Sequence, residues 1–126
     1  MIIGTGTDII ALSRIRDSIE KYGAHFLNYA FTEAEQGVGE AKGEMRFAFY
    51  GGRWAAKEAI AKALGTGFGA QCGWQDLCVL NDALGKPSVQ LSGKAAETAA
   101  ALGIRRWHLS ISHEKDYAIA MAIAEN

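Results

Sequence analysis

The chain has 126 residues, 49% of them hydrophobic and 21% charged, a balance that fits one globular domain over 1–126 and excludes a disordered or fibrous segment. Its net charge of −1 supplies no global basic field for nucleic acid, and no apolar run approaches the roughly 18 residues of a membrane span. With no basic leader at the start, the reading is a cytoplasmic protein that engages neither nucleic acid nor membrane.

Residues 2–10 (IIGTGTDII) form a β-rich run with Gly4 and Gly6, and Asp8 places a carboxylate inside an otherwise buried strand. From Ala11 onward, Leu12, Ile15, Ile19 and Tyr22 recur at helical spacing while Arg14, Ser18 and Lys21 line another face; Gly23 is the stop. His25, Phe26, Leu27, Tyr29 and Phe31 cluster ahead of Thr32 and Glu35, whose spacing makes a capping box for a second helix. The glycines between Gly37 and Gly43 predict that this helix ends early in a mobile loop. A long helix then runs from about Met45 to Leu64, weakened at Gly51–Gly52 and stopped by Gly65.

Gly65 to Gly69 reads as a flexible loop, and Cys72 and Cys78, with no second pair and no nearby histidine, read as reduced packing residues. Leu77–Leu80 and Ser88–Leu91 pair as a hairpin around Asp82–Lys86. Ser92 caps a third long helix that runs through Leu102. Trp107, Leu109 and Ile111 alternate with polar residues. In the last strand Tyr117, Ile119, Met121 and Ile123 alternate with Ala118, Ala120, Ala122 and Ala124, so another layer packs closely on the alanine face. His113 to Asp116 is the turn between these strands. Without a regular βαβ alternation the class is α+β.

Two acidic residues stand out. Asp8 interrupts a strand, and Glu58 sits in the helical block WAAKEAIAK at 54–62. Two carboxylates with waters and a phosphate would complete an octahedral Mg²⁺ site; the plainer reading of Glu58 is an ion pair with Lys62 one turn on, and spacing alone favours it. Arg53, Lys57 and Lys62 resemble an electrostatic clamp for a polyphosphate. The glycines from Gly65 let backbone N–H groups approach a phosphate but lack the lysine and Ser/Thr of a P-loop. Ser110, Ser112 and His113 hint at a hydrolase, without any G-x-S-x-G elbow. His25 and His108 read as structural, and the tryptophans as core or interface anchors.

In order and spacing, GTDI at 6–9, RWAAKEAIAKALGTG at 53–67, NDALGKP at 81–87 and HLSISH at 108–113 resemble the 4'-phosphopantetheinyl transferase superfamily, more narrowly its short bacterial holo-(acyl-carrier-protein) synthases. The resemblance covers essentially the whole chain and implies transfer of the 4'-phosphopantetheine arm of coenzyme A to a serine of apo acyl carrier protein. It implies Mg²⁺ on Asp8 and Glu58, and catalysis by those two with Lys62. Coenzyme A would be held by Arg53, Lys57, Lys62, Gly65, Lys86, Pro87 and His113. Arg14 and Lys21 on the first helix would dock the acidic carrier. It also implies a homotrimer with coenzyme sites between subunits. Residues 36–45 match no pattern. Another Mg²⁺-dependent phosphoryl-transfer enzyme, or a noncatalytic α+β interaction module, are the alternatives.

Overall fold

A computed structural model describes residues 1–126. Strand β1 (Ile2–Ala11) leads into α1 (Leu12–Tyr22), α2 (Ala24–Ala30) and α3 (Glu33–Glu40), followed by the 19-residue α4 (Arg46–Leu64). The hairpin of β2 (Leu77–Asn81) and β3 (Pro87–Leu91), then α5 (Gly93–Ala101), β4 (Arg106–His113) and β5 (Tyr117–Glu125) complete an α+β fold. One antiparallel sheet has the order β1-β5-β4, and β2 and β3 form a second.

Small residues set the distance between α4 and the larger sheet. Ala118, Ala120, Ala122 and Ala124 of β5 are buried, as are Ala55, Ala56, Ala59 and Ala63 of α4. The layer against the alanine face is therefore this chain's own central helix. A Cβ on Gly4 would collide with the Ala63 carbonyl oxygen, and one on Gly6 with that of Ala59. Two strand residues thus ride along one turn of helix, backbone on backbone.

Gly51 and Gly52 are not the weak point expected. Both are buried within an unbroken α4, Gly51 pressed on Leu12 and Gly52 on Ile111, so tight packing offsets the helix-propensity cost of about 1 kcal/mol each.

Three other local features depart from or add to the sequence reading. Residues 24–30, read from the sequence only as an apolar cluster, are helical, and their apolar side chains meet α4 and a 3-10 turn at Trp74–Asp76. Helix α3 continues to Glu40 despite its glycines, and the buried Gly39 leaves room for Tyr50. Ser92 does not cap α5 with its side chain. Its hydroxyl turns to the Asp76 carbonyl at 3.4 Å, while the Asp76 carboxylate accepts the Ala95 N–H at 3.2 Å.

The capping box at Thr32 forms as read, with Thr32 Oγ1 accepting from Glu35 N and Glu35 Oε1 accepting from Thr32 N; such caps contribute about 1 kcal/mol. Glu35 does more. It is fully buried beside Lys57, with Lys57 Nζ 2.7 Å from its Oε1. Removing one partner of such a pair costs about 3–5 kcal/mol, because the other is left charged in the interior.

The opposite face of the larger sheet is uncovered. Ile9 is 61% exposed, and Tyr117, Ile119 and Met121 are each close to half exposed. No helix is long and apolar enough to cross a membrane.

Candidate active site

Strand alternation points Asp8 of β1 inward, opposite Ala120, toward α4. From α4, Glu58 comes close enough that the two carboxylates feel each other. Burial pushes the Glu58 carboxyl above the usual carboxylate range, and the Asp8 charge pushes it further against a smaller pull from Lys62. Burial also raises Asp8, opposed by the Lys62 hydrogen bond and by the charges of Lys62 and Arg14.

Lys62 does not pair with Glu58 one turn below it. Its ammonium donates to Thr7 O at 2.9 Å and lies 3.3 Å from Asp8 Oδ1, because the close approach of β1 to α4 offers it a nearer carboxylate. Two mutually repelling, half-buried carboxylates with one half-exposed ammonium beside them fit a small dication that takes few protein ligands and completes its shell with water and phosphate. No cluster of three or more ligating side chains exists that would favour a closed site.

A second centre lies nearer the start of α4. Arg53 is buried there, donating from Nε to Val79 O at 3.0 Å and from Nη2 to Asn81 Oδ1 at 2.8 Å. Its guanidinium carbon sits 4.4 Å from the Phe49 ring centroid, and burial lowers its pKa against the opposing charge of Glu35. It faces a cleft of about 570 Å³ whose lining includes Lys42, Phe49, Asn81, Pro87 and His113.

Of the residues singled out from the sequence, the fold gathers Asp8, Glu58 and Lys62 in one place and Arg53, Pro87 and His113 in another. Neither Asp8 nor Glu58 lines the Arg53 cleft. Lys86, between two lining residues, is exposed and does not line it. Gly65 is the left-handed C-cap of α4, its N–H on Lys62 O, twelve residues or about 18 Å of helix from Arg53.

Lys57 is corrected outright. Its ammonium is fully buried, with its donors spent on Glu35, Ala30 O and Trp74 O, so it reaches no surface phosphate. The hydrolase hint also fails: Ser110 and Ser112 pair with Met121 and Ile119 on the uncovered face, while His113 pairs with Ala118 on the other. Arg14 and Lys21 are both exposed on α1.

The sequence reading missed Lys42, Phe49 and Asn81. Phe49 and Asn81 resemble any core aromatic and any strand-end asparagine. Lys42 lies in a segment without periodicity, and only the turn into α4 brings it to the cleft.

The sequence profile of the 4'-phosphopantetheinyl transferase superfamily matches residues 4–122. The chain is 50% identical over 125 residues to the holo-[acyl-carrier-protein] synthase of Clostridium novyi, covering 99% of this chain and 88% of that protein. Its fold superposes on the crystal structure of the Neisseria meningitidis holo-[acyl-carrier-protein] synthase with a TM-score of 0.92 at 36% identity, covering 100% of both chains. On the Bacillus anthracis enzyme in complex with CoA (3',5'-ADP) the TM-score is 0.83 at 39% identity, over 98% of this chain and 96% of that one. The chain belongs to the 4'-phosphopantetheinyl transferase superfamily and, within it, to the holo-[acyl-carrier-protein] synthases.

Proposed function

We propose that Asp8 and Glu58 hold a Mg²⁺ ion while the protein transfers the 4'-phosphopantetheine arm of coenzyme A to a serine of apo acyl carrier protein, releasing adenosine 3',5'-bisphosphate. The observation that carries this assignment is the pair of half-buried carboxylates brought together from β1 and α4, with Lys62 beside them. When bound, the ion neutralises charge on the pyrophosphate. Lys62 exchanges its contact with Asp8 for a phosphate oxygen. Glu58 accepts the serine proton, directly or through a water. The nucleophile belongs to the carrier, so the chain needs no Ser-His-Asp constellation of its own. Arg53, with Lys42, Pro87 and His113 around it, takes the nucleotide end of coenzyme A. Incubation of apo acyl carrier protein with coenzyme A, Mg²⁺ and this protein tests the proposal. Mass spectrometry should show the carrier heavier by one phosphopantetheine, and no mass gain, or a gain that ignores removal of Mg²⁺, refutes it.

Arg14 and Lys21 present positive charge on α1, and the Arg14 charge is felt at Asp8, so a carrier docked on this helix would arrive beside the carboxylates. Arg14→Glu should raise the KM for carrier protein by about tenfold or more, since reversal turns attraction into repulsion, while coenzyme A affinity stays unchanged. Equal loss for both substrates would remove α1 from the docking surface.

The working form is a cytoplasmic homotrimer. Two observations support it: the uncovered apolar face around Ile9, Ile119 and Met121, and the separation of the Arg53 cleft from the carboxylate pair within one chain. In this arrangement the carboxylates of one subunit meet the coenzyme pocket of its neighbour. Light scattering should give three times the chain mass, and Ile119→Lys should give monomers with little activity. A fully active wild-type monomer would refute the shared site.

A further inference from the structure

The proposed chemistry leaves the most deeply buried charged pair of the molecule without a task. Glu35 and Lys57 are fully buried and touch neither the Arg53 cleft nor solvent. One hydrogen bond of the pair nevertheless reaches Val79, a buried residue two positions before Asn81 of the cleft lining. Glu35 Oε1 accepts from Thr32 N at 2.8 Å and from Lys57 Nζ at 2.7 Å, and Oε2 accepts from Val79 N at 2.7 Å. On the same edge of the strand, the Val79 carbonyl accepts from Arg53 Nε at 3.0 Å. The edge of β2 facing α4 is therefore held at Val79 by a carboxylate on its N–H and a guanidinium on its C=O. Two residues on, Asn81 Oδ1 takes the Arg53 Nη2 at 2.8 Å.

Lys57 donates to Ala30 O at 2.8 Å and Trp74 O at 3.2 Å as well as to Glu35, which fixes where the carboxylate sits between α2, the 3-10 turn and α4. Stability alone does not require this arrangement, since well-packed apolar residues commonly serve as well or better in place of a buried ion pair. What an apolar pair cannot do is accept the Val79 N–H.

We propose that Glu35 is a positioning residue for coenzyme A: through the Val79 N–H it sets the β2 edge, whose carbonyl and Asn81 side chain aim the Arg53 guanidinium into the cleft. Lys57 holds Glu35 in place and never meets substrate. The inference rests on the reading of Arg53 as a coenzyme contact, and the experiment separates the two.

Two uncharged double variants test the Val79 contact. The single amide oxygen of E35Q/K57M can accept the Val79 N–H only by giving up that of Thr32, and E35L/K57M accepts neither, so the Thr32 contact is lost in both and the two differ at Val79. Both are first checked for fold by circular dichroism. The expected result is a coenzyme A KM near wild type in E35Q/K57M and about tenfold higher in E35L/K57M, the scale of one charge-assisted hydrogen bond. The KM for carrier protein should be unchanged in both. Adding E35L/K57M to R53A should raise the coenzyme A KM by less than about threefold more, because residues acting through one another are not additive.

Equal coenzyme A KM in the two double variants overturns the proposal, as does a full additional loss in the R53A background. R53A that binds coenzyme A normally refutes the reading of Arg53 and, with it, the route proposed for Glu35. A measurement on the wild type covers failure of E35L/K57M to fold. Binding of adenosine 3',5'-bisphosphate must tighten the Val79 contact by linkage, so the Val79 amide should exchange hydrogen more slowly with the nucleotide bound, by a larger factor than the amides of α5. Equal slowing of both overturns the proposal.

Discussion

Glu58→Ala and Asp8→Ala are each expected to fold normally and to lose transfer activity by at least about 100-fold, roughly 2.7 kcal/mol of barrier, at any Mg²⁺ concentration. A site with two protein carboxylates has no spare ligand, and the remaining one would hold the ion by a single contact. The milder Glu58→Gln should separate function from stability. It removes a charge that burial and Asp8 both oppose, so the metal-free variant should melt a few degrees above wild type while remaining inactive, the trade expected where an active site is built at the expense of the fold. A Glu58→Ala protein retaining a tenth of wild-type turnover would sink the metal assignment.

The same pair sets a pH dependence whose sign follows from the direction of the shifts. Both carboxyls are raised, so over the interval between their ordinary and raised values the folded, metal-free chain binds more protons than the unfolded chain. Its stability therefore falls as pH rises through that interval, and the contribution is fully present only below the ordinary carboxylate value. Mg²⁺ needs both groups ionised and must displace those protons, so its apparent affinity should drop on acidification already above the ordinary carboxylate range. The two groups titrate as a pair. Isothermal titration with Mg²⁺ across that range checks the direction, and an affinity flat down to the ordinary carboxylate value would contradict it.

Gly6→Ala should be the most damaging conservative substitution in the chain. Its Cβ has no free volume, because the Ala59 carbonyl oxygen already occupies the place it would take. The Cβ position is set by the backbone and the carbonyl is main chain, so no rotamer change relieves the conflict, and β1 must move off α4. The cost should reach about 3 kcal/mol, lowering the melting temperature by about 10 °C in a chain of this size. Activity should fall with it even at low temperature, since the displacement parts the strand that carries Asp8 from the helix that carries Glu58. Gly37→Ala is the control: nothing lies near its Cβ in α3, and the gain in helix propensity should stabilise by about 0.5–1 kcal/mol. Thermal melts and turnover at 10 °C test both variants, and a Gly6→Ala protein with wild-type stability would show that the helix and sheet are not in rigid contact.

The sequence by itself determined every strand, the amphipathic α1, the capping box at Thr32 and the extent of α4, because these depend on local periodicity and on caps within three or four residues. It also singled out Asp8, since a carboxylate in an apolar strand violates the local pattern, whereas for Glu58 helical spacing alone favoured an ion pair with Lys62 and only the family resemblance implied more. The tertiary structure decided what lies between elements. It turned Lys57, indistinguishable by helical spacing from a surface clamp residue, into the partner of Glu35. It sent Lys62 to Asp8 across 54 positions rather than to Glu58 one turn away, and it made Gly51 and Gly52 points of contact instead of weakness. It capped α5 with Asp76, brought Lys42 to the cleft from a segment without pattern, and left one sheet face bare. Helical spacing specifies the direction of a side chain relative to its own helix, and a long buried lysine looks like a long exposed one until the opposite wall is known. The choice among partners belongs to whichever charge or carbonyl the packing brings within hydrogen-bond distance, and here that packing is set by glycines and alanines that carry no charge at all.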